Sequence, residues 1–216
     1  IKRVFIPLGV RVNYDGNYVI LCMNRGRMNF RSPVQYLCNG IVLGVSGGNI
    51  IVLAMPPRAL STIYTANYLM KNLAEYEIVR ATDGTTLTLY YDNYKNDWRL
   101  STRSGSDVTD VIWGTRSYID ICRELFQWNE VIALADKNYS YSFGFCHPNI
   151  HPFATRCSLW HVETVNRTTG EVPMGSSFML FPPQEKYPAN IGTPQQSSAL
   201  FAQLIRENME ALNAAP

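Results

Sequence analysis

An α+β fold, built of antiparallel hairpins interrupted by helices, is what this sequence predicts, and three observations carry it. Short apolar runs are separated by turn signals at Asp15-Gly16, Gly47-Gly48 and Asp83-Gly84. Stretches with helical spacing fall between those runs, but not in the strict strand–helix alternation of a parallel sheet. The run Tyr139 to Cys146 reads Tyr-Ser-Tyr-Ser-Phe-Gly-Phe-Cys, a period-2 pattern with Tyr141, Phe143 and Phe145 on one face.

Taken in order, Val4 to Val12 has strand character and Tyr18 to Met23 resumes it after Asp15-Gly16, which predicts an opening hairpin. Residues 24–33 carry Arg25, Arg27 and Arg31 and read as a basic loop, either a solvated connection or an RNA or phosphate contact. A second hairpin joins Gly40–Val45 to Ile50–Met55, and its near-continuous apolar runs predict strands covered on both faces. Pro56-Pro57 ends it, because proline cannot donate to a ladder. Leu60, Ile63, Tyr64, Leu69, Met70 and Leu73 predict a helical connection over 59–75. Strands follow at 76–81, 85–91 and 98–102, with turns at Asp83-Gly84 and from Asp92 to Asp97. A helix is predicted over 115–129, a strand over 139–146, a Pro- and His-rich loop over 147–153, and a strand over 157–165 turned back at Arg167–Gly170. Five prolines make 172–196 irregular. Leu200, Phe201, Leu204, Ile205, Met209 and Leu212 then form the apolar stripe of a helix over 195–213.

The 216 residues are predicted to form a single domain over 1–216. With 19 basic and 17 acidic side chains the net charge is +2, so any nucleic-acid surface must be a local patch, not a global field. Five scattered cysteines are an odd number without a disulfide framework, which points to free thiols and an intracellular, cytoplasmic or viral setting. No apolar run is long enough to span a membrane. The first residue is Ile and no signal peptide is evident, so the sequence is expected to start inside a longer chain. Asn166-Arg167-Thr168 matches a glycosylation acceptor, against which the cysteine usage argues.

Four stretches together resemble the covalent nucleotidyltransferases, the RNA ligases, DNA ligases and mRNA capping enzymes, most closely the RNA ligase branch. Cys38-Asn39-Gly40-Ile41-Val42 through Met55-Pro56-Pro57-Arg58 looks like the hairpin preceding the ligase active site. Ala81-Thr82-Asp83-Gly84-Thr85 looks like the Lys-x-Asp-Gly motif, and Trp98 to Gly105 like the strand ending Thr-Arg-Gly-Ser. Tyr141 to Phe153 looks like the ligase pattern Phe-Glu-x-x-x-Pro-x-Asn-Arg-Ile-Val. The resemblance implies two twisted, mainly antiparallel sheets with flanking helices around a nucleotide cleft. It also implies ATP or GTP with Mg²⁺ as cofactor, and nucleotide or RNA as partner. By position, the cleft residues it implies are Ala81, Asp83, Gly84, Arg103, Gly144, Arg58 and Lys95.

The departures bear on the chemistry. Enzymes of this kind attack the α-phosphorus of ATP or GTP with a lysine amine, and the lysine position here is Ala81, whose methyl group cannot act as a nucleophile. Arg80 points to the other face of its strand and is effectively never deprotonated. Gly144 stands where the family has a glutamate that contacts the nucleotide sugar, and His151 or Pro152 stands in place of the motif's arginine. The later Glu-Gly-x-Val and Lys-x-Lys motifs are not present. The expectation is a ligase-like protein that binds nucleotide or RNA ends with covalent catalysis lost or disabled, by nature or by substitution. The alternative is a structural or interaction subunit that keeps only the scaffold and docks partners through the helix at 195–213.

Blander and competing readings remain. Asp83-Gly84 is also a common hairpin turn. Arg58, Arg80, Arg99, Arg103, Arg116 and Lys95 interleave with Tyr90, Tyr91, Tyr94, Trp98 and Trp113, which suits phosphate contacts with base stacking but also arises from strand alternation. Cys146, His147, His151, Cys157 and His161 include the spacing Cys-x4-His-x5-Cys-x3-His, a nominal zinc set without the usual Cys-x2-Cys knuckle. A loop-packing role is the preferred reading of that set, and no metal site is predicted. Cys146-His147 is a poor nucleophile pair, since adjacent strand residues point apart.

Overall fold

The period-2 runs are realised as two four-stranded antiparallel sheets in a computed structural model, which describes residues 1–24, 26, 33–57, 84–125, 127–148, 150–151, 154, 156–174 and 180–183. The chain divides into two compact units, 1–60 with 82–184 and 61–81 with 185–216, and every described residue belongs to the first. The helices predicted at 59–75 and 195–213, the strand at 76–81, and Arg58, Ala81 and Asp83 lie outside the described residues.

The first sheet is a meander, β1 (Val10–Asp15), β2 (Tyr18–Met23), β3 (Ile41–Ser46) and β4 (Asn49–Ala54), in that order. Its second hairpin turns on Gly47 and Gly48, at φ +56° and +82°, the left-handed pair that a two-residue primed turn needs. Two expectations are corrected here. The N-terminal strand starts at Val10, not Val4, and Lys2–Phe5 is instead one helical turn, α1. Pro7 and the positive φ of Gly9 (+78°) separate the two, and Phe5 packs on the sheet's outer face beside Val10 and Leu21. β4 is an edge strand covered only along its second half, for Ile50 and Ile51 are 54% and 38% exposed. Helix α2 (Pro33–Leu37) adds Val34 to that outer layer.

The second sheet orders β10-β9-β5-β6, with β5 (Thr85–Asp92), β6 (Asp97–Ser101), β9 (Tyr139–Cys146) and β10 (Ser158–Asn166). A short ribbon, β7 (Ile112–Trp113) and β8 (Arg116–Ser117), leads into α3 (Tyr118–Leu125) and α4 (Trp128–Leu134). The helix predicted over 115–129 is therefore two helices, broken where Gln127 leaves helical geometry at ψ 83°. That break brings Trp128 and Val131 into the same core as Tyr118, Ile119, Ile121 and Cys122. Burial raises the pKa of the Cys122 thiol, so it behaves as an apolar core group. The glycosylation-like triplet serves the turn after β10, where Asn166 Oδ1 accepts from the N–H groups of Thr168 and Thr169 at 2.9 and 3.1 Å.

Alternation gives the second sheet two unlike faces. One carries Leu87, Leu89, Tyr91, Trp98, Leu100, Tyr141, Phe143 and Phe145 against α3 and α4. The other carries small and polar side chains, among them Thr88 and Ser142, whose hydroxyls are 2.9 Å apart, and Tyr90, which packs against Ile20, Val42, Leu53 and Ala54 of the first sheet. The sheets are tied where they meet. Tyr18 donates to Asp92 Oδ2 at 2.6 Å, Ser106 to Asp15 Oδ2 at 3.0 Å, and the Met55 N–H to Ser140 Oγ at 3.0 Å.

Candidate functional site

The four motif stretches meet in two pairs in the structure. Gly40, at φ +107°, opens β3 so close to its neighbours that a Cβ there would lie 3.1 Å from Arg103 Cα and 3.3 Å from Pro56 Cβ. The start of one hairpin strand, the end of the other and the turn after β6 are thus in contact. Thr102 builds that turn, its Oγ1 accepting from the N–H groups of Ser104 and Gly105 at 3.3 and 3.0 Å, and leaves Arg103 exposed. At the other motif, Thr85 Oγ1 is 3.0 Å from His151 Nε2, which ties the start of β5 to the loop after β9. His151 Nδ1 accepts from the His147 N–H at 3.1 Å, so the neutral ring carries its proton on Nε2 and donates it to Thr85.

Between them lies a floor of two glycines under one indole. The register pairs Gly144 with Thr86 on one side and with Trp160 on the other, so all three share a face. Trp160 drapes over Gly144 toward Gly84. A Cβ on Gly144 would sit 2.2 Å from Cε2 and Cζ2 of Trp160, and one on Gly84 would sit 2.4 Å from the Phe145 carbonyl oxygen and 2.8 Å from the indole Cη2. No side chain other than glycine's fits at either place while the ring is there. Trp160 is partly exposed as a residue. Four residues back along β9, about 13 Å at strand rise, Ser140 already touches Met55 of the first sheet.

Comparison with known proteins agrees with this geometry. No family model matches the chain. It is 27% identical over 162 residues to a "Putative RNA-ligase" of African swine fever virus isolate Tick/Malawi/Lil 20-1/1983, covering 64% of this chain and 35% of the viral protein. The same-named protein of the Badajoz 1971 strain is 26% identical over 160 residues, with the same coverage. Among solved structures, one called "Archaeal ATP-dependent RNA ligase - form 1" superposes with a TM-score of 0.53 at 14% identity, over 97% of this chain and 54% of that one. The chain thus resembles these putative RNA ligases over part of its length and shares the fold of an RNA ligase. It spans about a third of the length of these viral relatives.

Within this ligase-type fold, the sequence-predicted residues separate. Gly84, Gly144 and Arg103 lie at the same end of the second sheet as β5 begins and β6 ends. Lys95 does not join them: it sits in the β5–β6 turn at the opposite end of β5, with Nζ 2.6 Å from Asp107. Burial would raise the Asp107 pKa, but the bonds from Lys95 and Thr109 outweigh it and hold the carboxyl below its usual value. Arg99 is taken up by Asp110 at 3.2 Å and Asp97 at 3.7 Å, and Arg116 by Glu124. Among the described residues Arg103 has no such partner. Tyr90, Tyr91 and Trp98 are buried core residues, so the reading of these aromatics as stacking platforms is corrected. Tyr94 lies over Gly44 in β3. The packing of Trp160 over Gly144 was not legible in the sequence, which shows only an aromatic in a strand, because register cannot be read without pairing.

The histidine-rich stretch is also redistributed. Cys146 is buried at the end of β9, His151 serves Thr85, and His161 bonds Thr164 Oγ1 at 2.9 Å, so the four-residue zinc set does not assemble. His147 and Cys157 do come together, with Glu124 of α3, which the spacing did not suggest. Burial lowers the His161 pKa. An unfolded histidine takes up its proton near pH 6.5, the folded one lower. His161 therefore adds stability that is present above about 6.5 and is lost as pH falls through the folded value. In urea unfolding measured from pH 7.5 down, the His161→Gln variant is expected to lose less stability below about pH 6.5 than the parent; parallel curves would refute this.

Proposed function

We propose that this chain binds a nucleotide or the end of an RNA without forming the covalent nucleotidyl intermediate, using ATP or GTP with Mg²⁺ as its natural ligand class. The observation that carries the reading is the partly exposed Trp160 on its glycine floor, at the same end of the second sheet as the exposed Arg103. A partly exposed aromatic ring backed by glycine backbone suits base stacking, worth about 1–3 kcal/mol per base, and an exposed guanidinium without an acidic partner among the described residues suits phosphate. Ala81 offers no nucleophile and Gly144 no carboxylate for a sugar hydroxyl, so binding is retained where group transfer is not. The five free thiols fit a reducing, intracellular setting.

The test has two arms. Calorimetry with ATP, GTP and a short 5′-phosphorylated RNA is expected to show binding that Trp160→Ala weakens by roughly 5- to 150-fold, the equivalent of 1–3 kcal/mol. Incubation with α-labelled ATP or GTP and Mg²⁺ is expected to leave no label on the denatured parent chain, whereas Ala81→Lys recovers some. Label retained on the parent would refute the loss of catalysis. Binding absent from the parent would refute the nucleotide reading and favour a scaffold that engages protein partners.

A further inference from the structure

Three segments distant in sequence deliver ligand-type atoms to one point. β9 and β10 pair as far as Cys146 opposite Ser158, so the next residue on each, His147 and Cys157, closes the base of their connecting loop. The last turn of α3 brings Glu124 to the same place. One donor atom from each of the three lies within 4.8 Å of the others, and His147 Nε2 is 3.4 Å from Glu124 Oε1. A tetrahedral ion with bonds of about 2.0–2.2 Å to N and O would hold those two atoms roughly 3.3–3.5 Å apart. That pair already has the spacing, and the exposed Cys157 thiol has only to close in. The other oxygen, Oε2, is bonded by Arg116, which also donates to the Asp120 carbonyl at 3.2 Å and so fixes the carboxylate's direction.

We propose that Glu124, His147 and Cys157 form a site for a zinc-class divalent cation, with water completing the coordination. The mixed O, N, S donor set selects Zn²⁺, Co²⁺ or Fe²⁺ and rejects Mg²⁺, which takes oxygen ligands alone. It is thus distinct from the Mg²⁺ of nucleotide chemistry. On binding, Cys157 releases its thiol proton to solvent and the metal–sulfur bond forms, with no redox change. The ion clamps α3 to the base of the loop whose His151 holds Thr85, next to Gly84.

Chelator-stripped protein is expected to take up one equivalent of Zn²⁺ in competition with a chromophoric chelator, and Co²⁺ to give a thiolate-to-cobalt charge-transfer band. Cys157→Ser and Glu124→Gln change exposed residues and leave the fold intact. Each is expected to weaken uptake by more than tenfold, since losing even an outer-shell partner costs about 10–100-fold, and Cys157→Ser is expected to abolish the cobalt band. No stoichiometric uptake, or uptake and band unchanged in both variants, overturns the site. The outcome is independent of nucleotide binding.

Discussion

Gly144→Glu, the substitution that would restore the ligase glutamate, is expected to destabilise this protein severely unless Trp160 is removed with it. The Cβ alone would lie 2.2 Å from two indole atoms, far inside van der Waals contact. Overpacking a filled site costs about 1–3 kcal/mol or more, and a carboxylate pressed under an indole loses hydration besides. For a chain of this size each kcal/mol lowers Tm by roughly 2–4 °C, so a loss on the order of 10 °C is expected. Gly144→Ala isolates the steric part and should fall between the two. Trp160→Gly empties the space, so the double variant Gly144→Glu/Trp160→Gly is expected to be more stable than the two single losses summed would allow, by about 0.5–3 kcal/mol of coupling. Urea denaturation of the four proteins decides it: additive effects, or a single variant as stable as the parent, would show that the indole does not fill the glutamate's place. Gly144 and Trp160 are then coupled positions, each occupying space that a larger residue at the other would need.

Phe143→Ala is expected to remove about 3–5 kcal/mol, much of the 5–15 kcal/mol by which domains are stable. Phe143 is fully buried at the centre of β9, paired across strands with Leu87 and His161. Its ring lies 4.2 Å from that of Phe181, inclined by 33°, and so anchors the proline-rich segment to the sheet. Aromatic pairs of this kind add roughly 0.5–1.5 kcal/mol beyond area. Phe143→Leu keeps most of the volume and should cost under about 1.5 kcal/mol plus the lost ring pairing. Equilibrium urea unfolding separates the two, and an alanine variant within 1 kcal/mol of the parent would contradict the core assignment.

Much of the scaffold was legible because its signals are local. The eight alternating residues of β9, the Gly47-Gly48 turn and the resumption at Tyr18 each depend on neighbours in sequence, and each is found where period and turn chemistry place it. Val4 to Phe5 and Gln127 were not legible, because helix and strand signals there are weak and packing on a particular sheet face settled them. Motif order singled out Gly84, Gly144 and Arg103, and the structure places all three at one end of the second sheet. Lys95 was drawn in by nearness in sequence, although an eight-residue strand separates it from Gly84.

By itself the sequence determined the α+β class and the resemblance to RNA ligases, together with the residues, Ala81 and Gly144, that depart from the motifs carrying it, since residue identity at a motif position needs no coordinates. The tertiary structure alone decided what fills the space. Strand register set Trp160 over Gly144, and the ladder's end with the last turn of α3 brought Glu124, His147 and Cys157 together. Both are contacts between residues far apart in the chain, fixed by pairing and packing that no local pattern encodes.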